Sequence, residues 1–108
     1  MPKAYLMNSP LLTNYGEFIY EKVTPEQAHR ELLLGFVSAI GHEATAQLLT
    51  KLLKLKVEPN RIQVSMVADD IAIIFKVKTR LPEGRVLTEE ELNKVEYELG
   101  KLTCVRTY

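Results

Sequence analysis

The sequence is poor in the devices that staple small proteins together. Its single cysteine, Cys104, excludes an internal disulfide and a cysteine-rich zinc site, and suits a reducing compartment. Long apolar runs are missing too. None approaches the roughly 20 residues that span a bilayer, and "MPKAYLMNSP" lacks the apolar core of a secretory signal. No membrane association is expected, and a cytoplasmic location is. Charge of one sign is not in excess, since 14 Lys and Arg balance 14 Asp and Glu. A protein that coats long nucleic acid normally carries a basic surplus. An anionic partner should therefore be small, or met by a local cluster of arginines. Phosphate loop, dinucleotide fingerprint, nucleophile elbow and HxxxH spacing are all absent, so neither a cofactor nor a metal is expected. There is no repeat, low-complexity tract or linker.

What is present is an ordinary globular composition. The 108 residues are 46% hydrophobic, enough for one domain with its own core. "KAYLMN" (3–8) reads as a short strand that ends in a polar turn, and "EFIYEKV" (17–23) as a second strand at a sheet edge. Thr24, Pro25 and Gln27 form a capping-box start for a helix that should run to about Leu34 and stop at Gly35. "FVSAI" is short and apolar and fits strand, helix or buried connection. A further helix is predicted over about 43–54, with Thr45, Leu48, Leu49, Leu52 and Leu53 as its inner stripe. "NRIQVSMV" (60–67) and "IAIIFKVKT" (71–79), separated by "ADD", alternate as a β-hairpin. Thr88 and Glu91 suggest a second capping box and a helix to Leu99 that stops at Gly100, with Leu92, Val95 and Leu99 facing inward. "KLTCVRT" (101–107) closes the chain as a strand. The expectation is an α/β or α+β domain with a mixed sheet of about five strands flanked by helices.

The residue that asks for an explanation is His42, in "SAIGHEATAQLL", where a helix start usually takes Ser, Thr, Asp or Asn. It can be a histidine that simply bonds a backbone carbonyl. It can also serve chemistry, because Gly41 allows close backbone approach and a helix N-terminus presents free N–H groups to a phosphate. An anion docked at such a helix end favours the protonated, proton-donating form of an imidazole beside it. Arg61 and Arg80 stand at the two outer ends of the expected hairpin, either as solvated strand-end residues or as a clamp for phosphate oxygens. Glu83 in "LPEG" can anchor an arginine or stand near a reacting hydroxyl. Asn8 and Ser9 can hold the first turn or bind a ligand. His29, among Glu26, Arg30 and Glu31, reads as solvated and structural.

Four segments, "YLMNS", "SAIGHEAT", "NRIQV" and "RLPEGRVLTEEEL", spread in this order over nearly the entire chain, resemble the viral and prophage ring nucleases, anti-CRISPR proteins that degrade cyclic tetra-adenylate. The resemblance implies an α/β homodimer that binds the ring in a pocket across its two-fold axis. It implies a catalytic role for His42 in the "IGH" motif and for Arg80 and Glu83 in "RxxEG". It also implies substrate contacts for Asn8 and Arg61, which join Ser9 and Gly41 as the candidate substrate-binding residues. Leu11 and Ala44 stand where members can carry a serine. The implied reaction needs no metal, because each ribose supplies its own 2′-hydroxyl, and its products are linear di-adenylates with 2′,3′-cyclic phosphate ends. The alternative from another class is a non-catalytic dimer that sequesters or senses a cyclic nucleotide.

Overall fold

The computed structural model describes residues 3–8, 14–78, 90, 94 and 96–108. The polypeptide forms β1 (Ala4–Met7), β2 (Gly16–Val23), α1 (Pro25–Leu32), β3 (Val37–Ser38), α2 (Glu43–Leu53), β4 (Ile71–Val77) and β5 (Tyr97–Thr107). The strands make one mixed sheet in the order β2-β5-β4-β1-β3. Within it β3, β1 and β4 are parallel, with Leu6 opposite Ser38 and Met7 opposite Ile74. β5 runs antiparallel to both β4 and β2. The expected class is observed: a single α/β domain with a five-stranded mixed sheet and, among the described residues, two helices.

Both helices lie on one face of the sheet. Ala28 and Leu32 of α1 and Ala46, Leu48, Leu49 and Leu53 of α2 pack on Leu6, Ile73, Phe75 and Leu99. These are the residues that helical and strand periodicity place on one side of each element. Ala46, rather than Thr45 or Leu52, completes the buried stripe of α2, while those two stay half-buried. α1 has the expected capping box, with the Thr24 hydroxyl accepting from Gln27 N at 3.2 Å and Gln27 Oε1 accepting from Thr24 N at 2.9 Å. It ends at Leu32, two residues before the expected stop. Gly35 closes that turn at φ 130°, a conformation that glycine adopts without strain, and donates to Leu32 O at 3.0 Å.

The opposite face is covered differently from expectation. Tyr5, Met7, Ala72, Ile74, Leu102 and Cys104 pack against Val64 and Met66. The stretch 60–67 alternates in burial only from Val64 onward, and Val64 makes a single β-bridge; the stretch is no strand of the five-stranded sheet, and the expected hairpin does not form. β4 pairs instead with β1 and β5, and the chain from Val64 to Met66 lies as a strap on the sheet face. The alternation follows the packing of Val64 and Met66 onto the sheet face. The side-chain amide of Asn14 engages the Met66 backbone as a neighbouring strand would. It donates to Met66 O at 2.7 Å and accepts from Met66 N at 3.0 Å. The "ADD" turn is real, with Asp70 N donating to Val67 O at 3.0 Å. Asp70, 3% exposed, accepts from Val67 N at 3.0 Å and Lys3 N at 2.8 Å.

The second correction concerns the last predicted helix. Tyr97–Thr107 is one continuous strand, so Gly100 does not stop a helix and Leu99 is buried from a strand. A Cβ at Gly100 would come within 2.3 Å of the Tyr20 ring on the neighbouring strand, so glycine there makes room for an aromatic. Thr88, Glu91, Leu92 and Val95 lie outside the described residues.

Candidate functional site

In a parallel sheet the loops that leave the carboxyl ends of the strands gather at one edge, where ligands of α/β proteins characteristically bind. Here β1 delivers Asn8 to that edge, and β3, its neighbour at about 4.8 Å, delivers Ala39 to His42. The two exits are joined by Ala39 N, which donates to Leu6 O at 2.8 Å. His42 then takes the N-cap position of α2 with extended backbone (φ −125°, ψ 133°), and its carbonyl accepts from Ala46 N at 3.0 Å. Its side chain makes no capping bond and is exposed. Histidine thus supplies the backbone of a cap without the side-chain oxygen that ordinarily satisfies the first-turn N–H groups. Those donors and the imidazole share one solvent-facing helix end.

Arg61 is brought to the same place by the chain that returns from α2. Its Nε donates to Gly41 O at 3.1 Å. The arginine stem lies so close over Gly41 that a Cβ there would sit 3.2 Å from Arg61 Cγ. Glycine at 41 is thus a matter of space. Gly41, His42 and Arg61 come together, with Asn8 at the end of the adjoining strand. The expected pairing of Arg61 with Arg80 through a hairpin falls with that hairpin. Ser9, Arg80 and Glu83 lie outside the described residues; in sequence Arg80 follows the last residue of β4, Val77, by three. Lys78 sits next after β4 and is tied to Glu98 at 2.7 Å. That contact raises the lysine's pKa and holds the Glu98 carboxyl below the usual carboxylate range.

Sequence reasoning passed over two residues here. Ser38 Oγ donates to Glu58 O at 2.6 Å, and Asn60 donates from Nδ2 to Ser38 O at 2.8 Å and from its backbone to Ile40 O at 2.7 Å. The available signal was an asparagine in a polar stretch after a proline, a residue type that commonly bonds backbone groups. His29 is half-buried rather than solvated, with Nδ1 2.6 Å from Leu53 O at the end of α2. The thiol of Cys104 is buried beneath the strap; burial, then Asp70 and Asp69, push its pKa up, which makes it a poor nucleophile.

The chain is thus an α/β domain with its polar cluster at the carboxyl edge of parallel strands. It belongs to the STIV B116-like family, whose model matches residues 4–99. It is similar to the protein designated Uncharacterized protein 26 of Sulfolobus islandicus filamentous virus, at 38% identity over 88% of this chain and 86% of that protein. It is also similar to protein ORF117 of Acidianus two-tailed virus, at 39% identity over 88% and 87%, and to YddF of Bacillus subtilis, at 35% over 90% and 93%. The structure of B116 of Sulfolobus turreted icosahedral virus superposes with a TM-score of 0.80 and 25% identity, covering 94% of this chain and 98% of that one. No helix among the described residues is long and apolar enough to cross a membrane.

Proposed function

We propose that the protein is a metal-independent ring nuclease that cleaves cyclic tetra-adenylate and so ends type III CRISPR signalling in the cytoplasm of a host cell. The observation that carries this reading is an exposed, uncapping imidazole at the start of α2, beside a guanidinium held on the preceding residue. A phosphodiester at that helix end meets free N–H donors, a cation and a proton donor together.

In the proposed reaction a ribose 2′-oxygen forms a bond to the adjacent phosphorus, and the bond from phosphorus to the 5′-oxygen breaks. His42, as imidazolium, gives its proton to the departing 5′-oxygen. Glu83 is the carboxylate of the proposed set that can accept the 2′-hydroxyl proton. Arg61 and Arg80 neutralise charge on the phosphorane oxygens, which is the term that matters most in such displacements. Asn8, Ser9 and Gly41 hold the ring so that attacking and leaving oxygens stay in line. Two copies related by a two-fold axis present one His42 each, and two opposite cuts give linear di-adenylates with cyclic phosphate ends.

The test is incubation of chelator-treated protein with cyclic tetra-adenylate and chromatographic identification of products. Di-adenylate with a 2′,3′-cyclic phosphate is expected. Tight binding without turnover would instead select a sequestering dimer, and neither binding nor turnover would remove both readings.

A further inference from the structure

The position of Arg61 has an unusual basis. The surrounding segment, Glu58 to Gln63, is exposed throughout, and the nearest buried anchors are Val57 at 5% and Val64 at 2% exposure. Apolar packing therefore holds this segment only at its ends. Between them, polar bonds lay it alongside the exit of β3, the outermost strand on that side of the sheet. Ser38 Oγ donates to Glu58 O and accepts from Ile40 N, the latter at 3.3 Å. Asn60 takes the Ser38 carbonyl with its side chain and the Ile40 carbonyl with its backbone, and Arg61 takes the Gly41 carbonyl at the next step. The Ser38 carbonyl at the open edge of β3, and those of Ile40 and Gly41 in the chain that follows it, are thus each occupied.

We infer that Asn60 is a positioning residue: its amide, clasped to Ser38, fixes the register that lays Arg61 across Gly41 and keeps the guanidinium beside His42. Ser38 takes part through its own carbonyl and hydroxyl. The Asn60 side chain can be removed without touching the core, because it belongs to neither apolar cluster. Its backbone bond to Ile40 survives substitution, so loss of the amide unlocks the register without detaching the segment.

The Arg61 Nε–H resonance of the free protein tests this directly. In the wild type it is dispersed and exchanges slowly, because it is donated to a carbonyl. In Asn60→Ala it moves to the free-arginine position while the backbone amide spectrum keeps its dispersion. Asn60→Asp, which keeps the shape and loses the donor, behaves alike and serves should the alanine variant fail to fold. An unchanged Arg61 signal in the folded variants overturns the inference. A second readout rests on the proposed function. Arg61→Ala weakens cyclic tetra-adenylate binding by about ten- to a hundredfold, the range for a charge-assisted contact. Asn60→Ala loses a large part of that, and adds nothing in the Arg61→Ala background, whereas a merely structural asparagine would give additive losses. A protein with no affinity for the ring defeats the proposed function and leaves the arginine resonance to decide the clasp.

Discussion

His42 is exposed, so replacing it leaves the core untouched, and this makes it separable from stability. Under the proposed function, His42→Ala should retain most of the affinity for cyclic tetra-adenylate and lose about a hundred- to ten-thousandfold in cleavage, the usual contribution of a general acid. Single-turnover rates alongside binding isotherms check both parts. Loss of binding in parallel with cleavage would make the imidazole a ligand contact only. Gly41→Ala probes the same spot from below. The added methyl meets the Arg61 stem at 3.2 Å, so the guanidinium has to shift by a few tenths of an ångström while the fold stays intact. Affinity should fall with little change in melting temperature. Asp70 shows the opposite behaviour. It is 3% exposed and satisfies two backbone donors, so Asp70→Ala orphans them and should destabilise by about 1–3 kcal/mol in urea unfolding. The proposed ring cleavage should be unaffected at temperatures where the variant stays folded.

At the scale of elements, the β2–β5 pair carries a pH signature at its open end. Arg106 and Tyr108 both donate to Glu17, and these bonds hold its carboxyl below the usual range. A carboxylate with a depressed folded-state pKa contributes stability that is complete above its unfolded value and vanishes as the pH falls through the folded one. The wild type should therefore melt slightly above Glu17→Gln at neutral pH. That gap should close in acid, below the ordinary glutamate value of about 4.3. A gap that persists in strong acid would assign the effect to shape, not charge. The elements set by local chemistry were legible in the sequence: the α1 capping box, Leu48, Leu49 and Leu53 of the α2 stripe and the edge position of β2. The two misread stretches share one cause, because pairing partners are non-local. "NRIQVSMV" alternates like a strand, but Asn14, far away in sequence, decides that it lies on the sheet instead of in it. "YELG" continues a helical rhythm, but β2 and β4 capture it as strand. The candidate site was legible to the extent that it rests on neighbours in the chain, Gly41 and His42. What holds Arg61 there was hidden, since the bonds from Asn60 reach back across α2.

At the scale of the whole molecule, the proposed reaction makes a statement about stoichiometry. One domain places one His42 at one helix end, and a single proton donor per passage accounts for a single cut. Two cuts on opposite sides of a four-nucleotide ring match two copies related by a two-fold axis, each acting on its own phosphodiester. A dimer assembled from one wild-type and one His42→Ala chain, purified with different tags and used in excess over ring, separates the cuts. It should accumulate linear tetra-adenylate with one 2′,3′-cyclic phosphate end, formed at roughly half the wild-type initial rate. The second cut would then wait for the ring fragment to turn over and rebind. The proposed wild-type dimer under the same conditions should pass to di-adenylate with little of this intermediate. A mixed dimer that yields di-adenylate as fast as the wild type would mean that one site makes both cuts, and the two-fold arrangement would lose its role in the chemistry. A mixed dimer with no activity would mean instead that each cut needs groups from both His42 residues, which a single exposed imidazole per helix end does not suggest.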